Sequence, residues 1–113
     1  MHELSICGSI VDIVKRHSGG RQVDVVHLKV GQLRQIVPET LVYCWDLVNA
    51  DTELAGCRLE VESISARITC HDCGAEHEIG RFPVLLCAGC GSSHVQVDAG
   101  EEFLITSLDL AET

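Results

Sequence analysis

The chain has 113 residues, with 17 Asp and Glu against 8 Lys and Arg, a formal net charge of −9. Phosphate-backbone binding depends on clustered Lys and Arg, and none cluster here, which argues against a nucleic-acid partner. No basic segment leads into an apolar run and a cleavage site, and no stretch is long enough to span a bilayer, so the expectation is a cytoplasmic chain with reduced thiols and no membrane association.

Met1-His2-Glu3 opens the sequence. Methionine is normally removed only before a small residue, so the bulky His2 keeps Met1 in place and stays in second position. From there the terminal amine, the His2 backbone nitrogen and the His2 imidazole can chelate one ion in fused five- and six-membered rings once the amide is deprotonated. Nickel(II) and copper(II) support that tetragonal, nitrogen-rich arrangement, and zinc does not favour it. The Glu3 backbone nitrogen or carboxylate, a more distant histidine or water would be the fourth donor. The motif is short and unspecific alone. A histidine at this position is also an ordinary exposed side chain, and Glu3 also complements the positive end of a helix.

From Leu4 to His17 the apolar residues Leu4, Ile6, Cys7, Ile10, Val11, Ile13 and Val14 recur at helical spacing, which predicts an amphipathic helix ended by Ser18-Gly19-Gly20. His17 would complement its negative end. Arg21 to Gly31 alternates, Val26, Leu28 and Val30 against His27 and Lys29, and reads as a strand with one solvated side. Pro38 suits the first turn of a second helix carrying Leu41, Cys44, Trp45 and Val48 on one stripe and stopping near Asn49. A second strand starts near Cys57 with Leu59 and Val61 on one face. Ile64, Ala66 and Ile68 then carry the apolar pattern on the other parity, which predicts a bulge or a strand end near Ser63. Phe103 to Leu110 is a third strand. Cys7, Cys44 and Cys57 fall on apolar faces and read as small buried hydrophobes.

Between the second and third strands lie Cys70-His71-Asp72-Cys73-Gly74 and Cys87-Ala88-Gly89-Cys90-Gly91. Four thiolates delivered as two Cys-x2-Cys pairs close a tetrahedron around one soft divalent ion, and the glycine after each pair lets the chain turn back under the metal. Zinc is the first reading. A rubredoxin-like iron site uses similar knuckles, but the aromatic surroundings expected there are missing. A closed four-thiolate site has no open coordination position, so it folds the segment and performs no chemistry. His71 and His77 read as exposed loop residues, and His94, just past the ribbon, as a side chain able to swing to a metal. The fold class is therefore α+β, a two-layer sandwich of a small three-stranded sheet with two helices on one face, plus an inserted four-cysteine zinc-ribbon loop.

Met1-His2-Glu3-Leu4, Val30-Gly31-Gln32-Leu33, Val37-Pro38-Glu39 and the two glycine-followed knuckles, in this order, resemble the HypA/HybF family. Its members are nickel metallochaperones for [NiFe]-hydrogenase maturation. The resemblance implies transferred nickel on His2 and Glu3 with Met1 supplying its amine. It implies structural zinc on Cys70, Cys73, Cys87 and Cys90. The implied partners are an accessory nickel-insertion GTPase and the hydrogenase large subunit. The expected partition is a nickel-binding α/β domain of residues 1–67 and 99–113 and a zinc-binding domain of residues 68–98. No nucleophile with a base partner, phosphate loop or open zinc site is visible, so catalysis is not expected. The alternative is an acidic zinc-ribbon interaction module in which the N-terminal motif is incidental.

Overall fold

A computed structural model describes residues 3–80 and 84–111. Helix α1 spans Glu3–Ser18 and buries Cys7, Ile10, Val11 and Val14, on one helical face, while Lys15, Arg16 and His17 occupy its last turn. Strand β1 is Val23–Gly31, and a single 3-10 turn, Gln32–Arg34, follows it. Helix α2 is Pro38–Asn49, with proline in its first turn and Leu41, Trp45 and Asn49 buried one above the other. Then come β2 (Arg58–Ile64), β3 (Arg67–Cys70), β4 (Glu76–Glu78), β5 (Val95–Ala99) and β6 (Phe103–Leu110).

These strands form two three-stranded sheets, ordered β2-β1-β6 and β4-β3-β5. The first is the sheet the alternation implied. Its central strand buries Val26 and Leu28 and leaves His27 and Lys29 half-exposed. The two helices pack on each other, and the Cys7 thiol reaches the Leu41 carbonyl at 3.7 Å. Trp45 is fully buried, with its indole N–H donating to the Cys57 carbonyl at 2.9 Å. Asn49, also buried, donates to the Trp45 carbonyl at 3.0 Å and accepts from the Thr52 hydroxyl at 3.1 Å, which offsets the cost of desolvating its amide.

The second sheet lies inside the segment read as the ribbon loop. The parity change near Ser63 is a strand end: β2 stops at Ile64, and β3 restarts at Arg67 with Ile68 buried. Antiparallel pairing of β3 with β4 and β5 places Ile68 opposite His77 and Val97. A small core of Ala66, Ile68 and Ile79 results, flanked by Leu33, Val95 and Val97.

The chain divides into two compact units. The first comprises Met1–Lys29, Ile36–Glu62 and Leu104–Thr113, and the second Val30–Gln35 and Ser63–Phe103. Val30–Gln35 joins the second unit through named bonds. The Gln32 amide accepts from the Ala66 N–H at 2.9 Å and donates to the Gly80 carbonyl at 2.6 Å, and the Leu33 N–H donates to the Gly100 carbonyl at 2.8 Å. Gly31 is required there, because a Cβ would lie 2.1 Å from the Gly100 carbonyl carbon. Among the described residues, no helix is long and apolar enough to cross a membrane.

Candidate metal centre

The two knuckles are built alike. Cys70 N–H donates to the Ala75 carbonyl at 2.8 Å, and Gly74 N–H to the Cys70 carbonyl at 2.9 Å. The second knuckle repeats this from Cys87 to the Ser92 carbonyl at 2.9 Å and from Gly91 to the Cys87 carbonyl at 2.8 Å. Gly74 and Gly91 take φ of 77° and 76°, the left-handed conformation that a Cβ disfavours, and this turn closes each bonded loop.

The cysteine sulfurs of residues 70, 73, 87 and 90 all lie within 4.8 Å of one another. Cys70 to Cys90 and Cys73 to Cys87 are each 3.6 Å. A tetrahedron with Zn–S bonds of about 2.3 Å has edges of about 3.8 Å, so the donor set fits zinc with little adjustment. Cys70 and Cys87, the first of each pair, are buried, and Cys73 and Cys90 are exposed.

Backbone amides prepare these sulfurs to be thiolates. The Cys73 amide, and after it the Asp72 amide, holds the Cys70 thiol below its ordinary value. The Cys90 and Gly89 amides, with Cys73 and His77, lower Cys87 to about 6. Their partners go the other way. The Ala75 amide favours the Cys73 thiolate, but hydrogen bonding with Cys87 and Cys70 outweighs it, and Cys73 rises. Cys90 is likewise favoured by the Ser92 amide, yet Cys70 and Cys87 push it to about 12. Neighbouring thiolates repel, and a divalent cation between them removes that conflict.

His77 departs from the exposed-loop expectation. It sits half-buried on β4 with Nε2 3.4 Å from the Cys87 sulfur. His71 is exposed, as anticipated. The His94 side chain, 76% exposed, rests with Nδ1 3.4 Å from the Asp72 carboxylate. Asp72 also accepts a hydrogen bond from the Ser92 hydroxyl, and these contacts, Ser92 first, hold its carboxyl below the usual carboxylate range. No spacing rule pointed to Asp72 and Ser92. Nothing in their separation along the chain says that they meet.

At the other end of the chain, Met1 and His2 lie outside the described residues, and Glu3 is half-buried in the first turn of α1. Cys7 and Cys57 are buried as expected, and Cys44 is half-buried. His27, expected to be solvated, pairs with Asp109 at 3.0 Å. Among the described residues, the four cysteines are the one group of three or more His, Cys, Asp or Glu side chains close enough to share an ion.

The family described as "Hydrogenase/urease nickel incorporation, metallochaperone, hypA" matches residues 1–110. This chain belongs to the HypA family. A hydrogenase maturation factor HypA of Geotalea uraniireducens is 38% identical over 112 residues, covering 97% of this chain and 99% of its own. The same factor from a Nostoc species is 38% identical over 112 residues, covering 99% and 97%. The solution structure of the Ni metallochaperone HypA from Helicobacter pylori superposes with a TM-score of 0.65 at 18% identity, covering 97% of each chain, and shares the fold. HypA proteins are nickel metallochaperones of hydrogenase maturation, not enzymes. In this HypA-family chain the four-cysteine cluster fits a structural zinc site, closed and without a position for substrate.

Proposed function

We propose that this chain carries nickel(II) as cargo at its N-terminus, on the Met1 amine, the His2 imidazole and backbone nitrogen, and Glu3. It hands the ion on with an accessory nickel-insertion GTPase, toward the hydrogenase large subunit, in the cytoplasm. Zinc stays on Cys70, Cys73, Cys87 and Cys90. The unit that carries α1 then serves nickel, and the unit of Val30–Gln35 and Ser63–Phe103 holds zinc. The observation that carries this reading is the family match over residues 1–110, which takes in both the His2-Glu3 opening and both knuckles.

The physics agrees. A carrier must release its metal, and a chain terminus offers few side chains and no rigid cage. A dication beside the positive end of α1 is weakened further, by about 0.3–1 kcal/mol, which favours transfer over storage.

Isothermal titration of nickel into native protein should give one ion per chain at near-micromolar affinity, about 8 kcal/mol. His2→Ala should abolish binding without loss of zinc or fold. A short uncleaved N-terminal extension should do nearly the same harm, because it turns the amine into an amide. Binding should weaken as pH falls through about 6.5, where the imidazole proton competes with the metal. Equal affinity in native, extended and His2→Ala protein would overturn the N-terminal site.

A further inference from the structure

The two knuckles meet in two ways. One is through the sulfurs, which need a metal to hold them together. The other needs no metal. Asp72 lies between the cysteines of the first knuckle, and its carboxylate accepts from the hydroxyl of Ser92, two residues after Cys90 of the second.

Ser92 is tied through both its carbonyl and its hydroxyl. Its carbonyl accepts from the Cys87 N–H at 2.9 Å. Its hydroxyl donates to Asp72 and accepts from the His94 N–H at 3.0 Å. The chain then returns to the first knuckle, where the His71 N–H donates to the His94 carbonyl at 2.8 Å. Asp72 is anchored at its other end by the knuckle itself, where the Cys73 N–H next to it donates to the Cys70 sulfur at 3.4 Å. The Cys70–Cys73 pair is thus joined through Asp72 and Ser92 to Cys87 of the other pair, without passing through the ion.

We propose that the Asp72–Ser92 hydrogen bond is a brace that keeps the two knuckles facing each other and so retards zinc release. The proposal rests on zinc occupying Cys70, Cys73, Cys87 and Cys90. Dissociation from a four-thiolate site starts with one pair swinging away, and a bond between the pairs opposes that swing. It also lowers the ordering cost of rebinding, since the loops are already juxtaposed when a thiolate lets go. Asp72 and Ser92 touch no metal and act as positioning residues. His94 reaches the same Asp72 oxygen at 3.4 Å, but through a 76%-exposed ring whose contact water screens, so the buttress expected of it is small.

The test is zinc transfer from the full-length, zinc-loaded protein to the chelator pyridylazoresorcinol. Asp72→Ala and Ser92→Ala should each speed transfer by about tenfold. The double variant should be no faster than the faster single variant, because both remove the same bond. Ser92→Thr, which keeps the hydroxyl, should restore the slow rate, and His94→Ala should leave it unchanged. In cobalt(II)-substituted protein the visible tetrathiolate spectrum should be the same in all variants, since the ligands are untouched. Unchanged rates in both single variants, effects that multiply in the double variant, or a shifted cobalt spectrum would overturn the brace. Acceleration by His94→Ala equal to that by Ser92→Ala would move the role to the imidazole and overturn it too. A native protein that holds no zinc would overturn the zinc assignment and the brace together, whereas zinc retention with unaltered variant rates removes the brace alone.

Discussion

Trp45 and Cys7 show how single side chains set the tolerance of the helical unit. Trp45→Phe removes the donor to the Cys57 carbonyl and leaves that acceptor in an apolar setting, so it should cost about 1–3 kcal/mol in urea unfolding, with helix content retained. Cys7 has no exposed surface. Its thiol is raised from 9.0 to about 11, by burial first and then by the charges of Cys44 and Glu3. A raised pKa means the folded state resists the thiolate. The stability this contributes is complete below the unfolded value of 9.0 and is lost as pH rises through about 11. In reductant, the urea midpoint should therefore fall between about pH 9 and about pH 11, and Cys7→Ala should flatten that fall. An identical decline in the variant would assign it to other groups. The sequence marked Cys7 as buried from its helical stripe but carried no sign of the His27 and Asp109 pair. That contact spans two strands whose register only the folded sheet defines.

Among the elements, the ribbon strands are the weakest on their own terms. β3 has 4 residues and β4 has 3, and the core they share is Ala66, Ile68 and Ile79 with three half-covered neighbours. Such a small apolar cluster cannot offset the entropy of ordering the segment. Zinc supplies the difference, since binding in zinc peptides is worth about 10–16 kcal/mol of folding free energy. Cys73→Ser should lose zinc by elemental analysis, and protease resistance from about Ile68 to Val97 should go with it. Circular dichroism should still report α1 and α2. A zinc-free variant whose ribbon stays equally protected would show that packing alone is sufficient. The long elements were legible because each repeats its pattern over two or more turns or several pleats. β4 was not, because three residues complete no period, and it exists through its pairing with β3.

Across the whole molecule, a net charge of −9 on 113 residues sets the character of its encounters. A basic protein surface or a cation gains from this field, whereas a polyphosphate backbone is repelled. Fluorescence anisotropy with duplex DNA should show no binding at physiological salt. Salt-dependent micromolar affinity would reopen a nucleic-acid role.

The sequence by itself determined the two helices, the three long strands, the cysteine tetrad and the family, because each rests on a local period or a short fixed spacing. Residues within a few positions of one another can be related without knowing the fold. Only the tertiary structure decided that Val30–Gln35 belongs with the ribbon, that Gly31 must be glycine because Gly100 lies against it, and that Asp72 reaches Ser92. These are contacts between segments distant along the chain, and they depend on how strands pair and loops close. Nothing in a local pattern encodes which of many distant residues will be met. Chain connectivity, hydrogen-bond satisfaction and close packing settle that together when the chain folds.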